Sequence, residues 1–474
     1  MSDDELCYLT ATEAIARFKA RSLSPVELLQ AQQHRANQLE PRINAFCNRR
    51  DEAALDAARK AEQTYMNNPG QAAALEGIPT ALKDEHNLVG EHITQGSWLL
   101  GEQADTANAP LTQRLLDAGA VIHARTNVPE CCVAMFTRSP RYGVTRNPWN
   151  PVYTCGGSSG GSGAALAAGL TTLASGSDIG GSIRVPAAYC GVVGLKPSYG
   201  RVPESSMFFA MNHHNHNGVL ARSVADCALM FNVINGPHRA DPSSVKPRLE
   251  LPLQQAPVRG LRIALSMDLG FFDVSPDVRR NTLRAAEILR QQGAQVTEID
   301  LPWTADVRKA FTDALVFPLG RLLEQLIEGR EERASDYVRA MAAMARTISL
   351  DEHLASFDQL AKMHQALQDV FEQHDAMICP TLADNRWLAE GSDTPHADLM
   401  NAGMTYPFNM LSRHPVLSVP SGMASHGVPT GLQIVGPTYE DAMVMRIGAA
   451  LEQELRWPQW RPPVQEPADA LATV

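Results

Sequence analysis

Short apolar runs bounded by turn residues recur along this chain, separated by stretches with helical periodicity. The first 65 residues read as helices: Thr10 to Glu13 fits a capping box, and Ser24-Pro25-Val26-Glu27 fits another with proline at the first helical position. From Glu76 the pattern changes. Gly77-Ile78-Pro79-Thr80-Ala81-Leu82-Lys83-Asp84 suits a buried strand that ends at Lys83. Thr112 to Ala118 reads as helix, Gly119 stops it, and Ala120 to Ala124 reads as strand. Such alternation predicts βαβ units and a largely parallel sheet. Strand character resumes at Gly260 to Leu265, an amphipathic helix runs from Asp277 to Gln292, and Gln295 to Ile299 is a further strand. Residues 304–375 are mostly helical and amphipathic, and strands return at Val416 to Pro420 and Gly431 to Gly436. There is no internal repeat and no long linker, so one domain over 1–474 is expected.

Composition narrows the class. A chain of 474 residues with 44% hydrophobic content buries a large core. A net charge of −11 is the wrong sign for a nucleic-acid binder. No run of about 18 apolar residues predicts a membrane span. The start, MSDDELCYLT, has neither the basic nor the apolar stretch of a secretory signal. The eight cysteines are spread out without a CxxC, which fits reduced thiols in the cytoplasm.

Residues 150–203 are rich in Gly, Ser and Ala and carry two clusters: Gly156-Gly157-Ser158-Ser159-Gly160-Gly161-Ser162-Gly163 and Gly176-Ser177-Asp178-Ile179-Gly180-Gly181-Ser182-Ile183-Arg184. Successive glycines let several N–H groups converge on one point, the arrangement that holds the oxyanion of a tetrahedral intermediate. Ser182, directly after such a loop, is placed as a nucleophile. A serine hydroxyl needs a base, and lysine can serve when neutral. With a reference pKa of about 10.4, working near neutrality requires a drop of roughly 3 units, about 4 kcal/mol. Lys83, at the end of an apolar strand, is the candidate, with burial and neighbouring cations as the cause of the drop.

Blander readings stand beside these. Ser158, Ser159 and Ser162 taken alone fill a tight turn, and a lone lysine is usually a solvated one; the second cluster and Lys83 together outweigh both. Gly157 to Gly161 also satisfies G-x-S-x-G, but no convincing strand precedes it. The glycine cluster lacks the Lys-Ser/Thr ending of a phosphate-binding loop. His213-His214-Asn215-His216 offers metal ligands, yet reads better as a polar loop at the mouth of the site, so no metal is expected. Cys131, Cys132 and Met135 read as core or pocket wall, and Cys190 as buried packing.

On these residues the chain resembles the amidase signature family. The match is densest from Gly156 to Pro203, including Gly191-Val192-Val193-Gly194-Leu195-Lys196-Pro197, with GIPTALKD at 77–84, Asn147 to Pro151 and GLQIVGP at 431–437 in support. The resemblance implies an α/β fold in which a twisted, mixed β-sheet is flanked by helices on both sides. It divides the chain into N-terminal helices (1–65), a signature core (76–236) and a helical region (304–375) expected to cover the pocket. By the same resemblance Lys83 is the base, Ser158 the proton relay that follows a cis peptide bond, and Ser182 the nucleophile. The N–H groups of Ile179, Gly180, Gly181 and Ser182 form the oxyanion hole, Asp178 and Arg184 brace the loop, and Cys132 touches substrate. No cofactor is implied. Cys155, where many relatives have proline, and Asn217-Gly218-Val219, where Gly-Pro is usual, depart from the family pattern. The segment Met207 to Asn217 is unusual in its Met, Phe and His content and is expected to line the pocket.

Two functions follow. The first is a stand-alone amidase, monomeric or homodimeric, of small and fairly apolar aryl or aliphatic amides, carbamates (urethanes) or esters. The alternative is the glutamine-hydrolysing subunit of a tRNA-dependent amidotransferase. A scaffold with a dead site is disfavoured by retention of Lys83, Ser158 and Ser182.

Overall fold

The computed structural model describes residues 2–205, 213–391 and 400–463. Its strands, in chain order, are β1 (Phe46–Arg49), β2 (Pro79–Lys83), β3 (Val121–Thr126), β4 (Arg138–Ser139), β5 (Gly143–Val144), β6 (Leu173–Asp178), β7 (Val193–Lys196), β8 (His216–Ala221), β9 (Arg262–Leu265), β10 (Gln295–Glu298), β11 (Ala376–Pro380), β12 (Val416–Met423) and β13 (Pro429–Val435). Eleven of them form one sheet in the order β1-β3-β2-β6-β8-β7-β12-β13-β11-β9-β10, and β4 and β5 make a small hairpin.

The sheet is mixed, which corrects the expectation of a largely parallel one. β2 runs parallel to β3 and β6, and β9 parallel to β10 and β11. The strands between them pair antiparallel: β6 with β8, β8 with β7, β7 with β12, β12 with β13 and β13 with β11. The βαβ alternation is real locally. The strands β12 and β13 are joined by a short turn, a connection that only antiparallel neighbours allow.

Both faces of the sheet are covered. Along β6, Leu173 packs into one apolar cluster and Ala174 into the other; along β8, Val219 and Leu220 alternate in the same way. The first cluster takes in the helices Pro110–Asp117, Val224–Ile234 and Asp441–Leu455, the second the small-residue helices Gly160–Ala167 and Arg184–Cys190. Gly161 shows why that helix must be small. A Cβ there would come within 2.5 Å of the Ala45 carbonyl oxygen and the Asn127 nitrogen. A third apolar cluster holds the helices Asp306–Ile327, Asp336–Ala345 and Leu350–Gln373.

The first 65 residues are helical as expected, with both capping boxes formed at Thr10 and Ser24, except for β1, a four-residue edge strand too short to leave a periodic signal. No described helix is long and apolar enough to cross a membrane.

Candidate active site

Because β2 and β6 are parallel neighbours, their last residues, Lys83 and Asp178, lie at the same edge of the sheet. Clefts beyond the carboxyl ends of parallel strands are where α/β folds place ligands. The loop into the helix Gly160–Ala167 brings Ser158 to this edge, and the loop leaving β6 brings Ile179 to Ser182. The Gly157–Ser158 peptide bond is cis.

Lys83 is wholly buried and Ser158 nearly so. Lys83 Nζ lies 2.8 Å from Ser158 Oγ. Ser182 is 6% exposed, and its carbonyl accepts from the Ser159 N–H at 3.1 Å, which ties the two loops together. Among the described residues no hydrogen bond joins the Ser158 and Ser182 hydroxyls. Three candidates therefore share one edge, with Lys83 and Ser158 in direct contact and Ser182 held beside them through the backbone.

Two residues that sequence reading missed complete the lysine's surroundings. Nζ also lies 2.5 Å from Ser177 Oγ and 2.9 Å from Glu85 Oε2, and the Ser177 hydroxyl donates to the same carboxylate oxygen. Glu85 is as buried as its partner. Burial acts to lower the Lys83 ammonium, but its neighbours Cys132, Glu85 and Asp178 outweigh it, and the proton is held above the usual lysine range. Burial pushes the Cys132 thiol well up, so it is neutral and Glu85 is the counter-charge in contact. Burial likewise acts to raise Glu85, and Lys83 overrides it, holding the carboxyl below its usual value. The expectation that burial and neighbouring cations depress Lys83 is thus corrected: it left out a carboxylate two residues along the chain.

The 179–182 loop is held by Asp178 and Arg184. Asp178 Oδ1 accepts from the Gly181 N–H at 2.8 Å, and Oδ2 from the Ile183 N–H at 3.2 Å. Arg184 donates from Nε and Nη2 to the two carboxylate oxygens, and its remaining N–H groups go to the Thr405 carbonyl, Gln433 Oε1 and Asn409 Oδ1. Gln433 belongs to the 431–437 segment, whose contribution to the site sequence reading left unassigned. Burial acts to raise the Asp178 acid, but Arg184 outweighs it and keeps the carboxyl well below the ordinary range. With its N–H spent on Asp178, Gly181 differs from Ile179, Gly180 and Ser182, whose N–H groups form no hydrogen bond among the described residues. Gly181 has φ +132°, and a Cβ there would run into the Thr405 hydroxyl.

The loop's outer side is apolar. A Cβ on Gly180 would stand 3.1 Å from the Phe311 ring and 3.9 Å from Met135 Cε, and Ile179 and Met135 pack against the same cluster as Phe311. Cys132 is buried in the short turn Glu130–Cys132.

The histidine cluster sits differently from expectation. His216 is in β8 rather than a loop, with its ring nitrogens 3.1 and 3.0 Å from the Asp178 and Ser412 carbonyl oxygens, and burial lowers it to about 3. His214 Nδ1 lies 3.2 Å from the Asn409 carbonyl oxygen. Among the described residues no group of His, Cys, Asp or Glu is arranged to hold a metal. Met207 to Asn212 lies outside the described residues, while Asn217 receives the His86 Nε2–H at 3.1 Å. All eight cysteines are free thiols.

Comparison with known proteins adds to this geometry. The family model described as Amidase matches residues 27–445. An acylamidase of Rhodococcus erythropolis is 34% identical over 487 residues, covering 99% of each chain. A glutamyl-tRNA(Gln) amidotransferase subunit of Chloroflexus aggregans is also 34% identical over 487 residues, covering 97% of this chain and 99% of that one. The crystal structure of a bacterial aryl acylamidase of the amidase signature family superposes with a TM-score of 0.86 at 27% identity, covering 95% of this chain and 97% of that one.

Proposed function

The chain belongs to the amidase signature family, and from that premise we propose that it hydrolyses small, fairly apolar amides through an acyl-enzyme on Ser182. The observation that carries the reading is the 2.8 Å contact between buried Lys83 and Ser158, beside a loop whose Ile179, Gly180 and Ser182 N–H groups are uncommitted.

In its neutral form, which rising pH populates, Lys83 takes the Ser158 proton while Ser158 takes the proton of Ser182, whose Oγ attacks the carbonyl carbon. The Ser182 and Ser158 hydroxyls come into contact when substrate is bound, as catalytic hydrogen bonds often tighten only then. The oxyanion lies against the 179–182 loop, with Asp178 and Arg184 keeping that loop in shape. Lys83 returns its proton through Ser158 to the leaving nitrogen, the C–N bond breaks, and the amine departs. Water then attacks the acyl ester by the reverse relay and restores the Ser182 hydroxyl. The three side chains do this without a cofactor.

Ile179, Met135 and Phe311 form the apolar wall beside the loop and favour aryl or aliphatic acyl groups, with carbamates and esters as further substrates. Cys132 closes the site on the lysine side, and the helices of 304–375 cover it through Phe311. The likeness to an acylamidase and an aryl acylamidase supports this choice. The equally similar amidotransferase component supports the second reading, glutamine hydrolysis for a partner. Against it, the described wall of Ile179, Met135 and Phe311 is apolar, a poor match to the ammonium and carboxylate of glutamine. We place the enzyme in the cytoplasm as a monomer or homodimer.

The test is activity of the purified chain alone on a panel of anilides, carbamates and esters, beside glutamine. Anilide or carbamate hydrolysis without a partner is expected. Glutamine hydrolysis that appears only with partner subunits would overturn the substrate assignment.

A further inference from the structure

Glu85 has no part in the relay just described, yet it is the only carboxylate among the described residues in ion-pair contact with Lys83. Three groups surround Nζ: Ser158 Oγ at 2.8 Å, Ser177 Oγ at 2.5 Å and Glu85 Oε2 at 2.9 Å. As an ammonium, Lys83 donates one proton to each. As a neutral amine it has two N–H bonds and one lone pair. Ser177 spends its own hydroxyl proton on Glu85, so its oxygen can only accept from Lys83, and the carboxylate can only accept as well. Both N–H bonds are therefore claimed, and the lone pair is left facing Ser158.

Resting on the function proposed above, we propose that Glu85 is a positioning residue for the reaction: with Ser177 it turns the Lys83 lone pair onto Ser158, and its charge steadies the ammonium that forms as Ser182 attacks. The proton count closes. One proton passes from Ser182 to Ser158 and one from Ser158 to Lys83; as the C–N bond breaks, Ser158 gives a proton to the leaving nitrogen and takes one back from Lys83, and Glu85 stays ionised throughout. Its part resembles that of an acid that orients a histidine base and stabilises its charged form.

The same charge sets a pH requirement. The groups that face the pair from other elements are Asp178 at the end of β6, Cys132 in the turn Glu130–Cys132, and His86 beside Glu85. Asp178 is paired with Arg184, the Cys132 thiol is neutral, and burial lowers His86 to about 4, so it too is neutral. Arg125 is paired with Asp84 and Asp105. Glu85 is thus the charge whose removal Lys83 feels most directly. Activity must rise with pH as Lys83 loses its proton, and removing the Glu85 charge must move that limb down.

The experiment is the pH profile of kcat/KM for wild type and Glu85→Gln, each corrected for the fraction labelled at Ser182 by a fluorophosphonate probe. Glu85→Gln keeps an acceptor near Nζ but loses the charge. The expected result is an acid limb shifted to lower pH by about 1–3 units, with a lower plateau because the ammonium is less stabilised. A limb that stays where it was overturns the assignment. Should Glu85→Gln not fold, Ser177→Ala tests the same geometry: it keeps the charge and removes one of the two acceptors, so the plateau must fall without a downward shift of the limb, and an unchanged plateau overturns the proposal. Absence of wild-type labelling at Ser182 would instead sink the acyl-enzyme reading itself, so the two failures are distinct.

Discussion

Arg184 grips Asp178 through two hydrogen bonds, Nε to Oδ2 at 2.9 Å and Nη2 to Oδ1 at 2.8 Å, with neither side chain reaching solvent. The same carboxylate holds the N–H groups of Gly181 and Ile183, so the ion pair and the shape of the 179–182 loop are one structure. Replacing Arg184 with Met leaves a buried carboxylate without its partner, a loss of about 3–5 kcal/mol. Denaturant midpoints should fall accordingly, and the folded fraction should lose turnover because the loop is no longer held. An unchanged midpoint with full activity would show the pair to be dispensable.

Lys83→Met replaces the amine with an apolar chain of similar length. Removing a general base costs about 100- to 10,000-fold in rate. Anilide hydrolysis should drop into that range or below, at alkaline as well as neutral pH. Activity within ten-fold of wild type would mean that another group deprotonates Ser182.

Phe311 presses on the loop at Gly180. Phe311→Ala should open the apolar wall and shift preference toward bulkier acyl or aryl groups. A single methylene in an apolar pocket is worth about 1–3 kcal/mol of discrimination, so loss of the ring should move the preference at least that far. The ratio of kcat/KM for a large and a small anilide is the readout, and a ratio that does not move would place the substrate elsewhere.

Acid should destabilise the protein through its buried histidines. Burial lowers His86 and His414 to about 4, and His123 and His216 to about 3. Unfolded histidines take protons from about pH 6.5 downward. Between that pH and the folded values these four rings bind more protons in the unfolded chain than in the native one; Glu452, raised by burial to about 7, offsets one of them, and stability falls as pH falls. Asp178, held low by Arg184, adds a further loss where an unfolded carboxylate would protonate. Urea midpoints measured at pH 7.5 and 5.5 should differ, the lower pH giving the lower midpoint; equal values would contradict the burial of neutral rings.

Much of the site was legible because its pieces are local. An apolar run that stops at a lysine, and two Gly-Ser clusters, announce a strand end and two tight loops in sequence alone. What was illegible depends on partners far along the chain. Gln433 accepts from Arg184 across 249 positions, and no periodicity marks it for that task. His216 read as part of a polar loop because its strand, β8, is defined by pairing with β6 and β7 rather than by its own composition. Glu85 lay in plain view two residues after Lys83. Only the turn that follows β2, where the Glu85 and His86 N–H groups both reach the Lys83 carbonyl, brings the carboxylate back against the amine.

The central claim is that Ser182, and not Ser158, becomes covalently bonded during turnover. Peptide mapping after treatment with a fluorophosphonate probe tests it most directly. The account predicts one adduct, on Ser182, that is lost in Ser182→Ala together with amide hydrolysis. An adduct on Ser158, or turnover that survives Ser182→Ala, would contradict it.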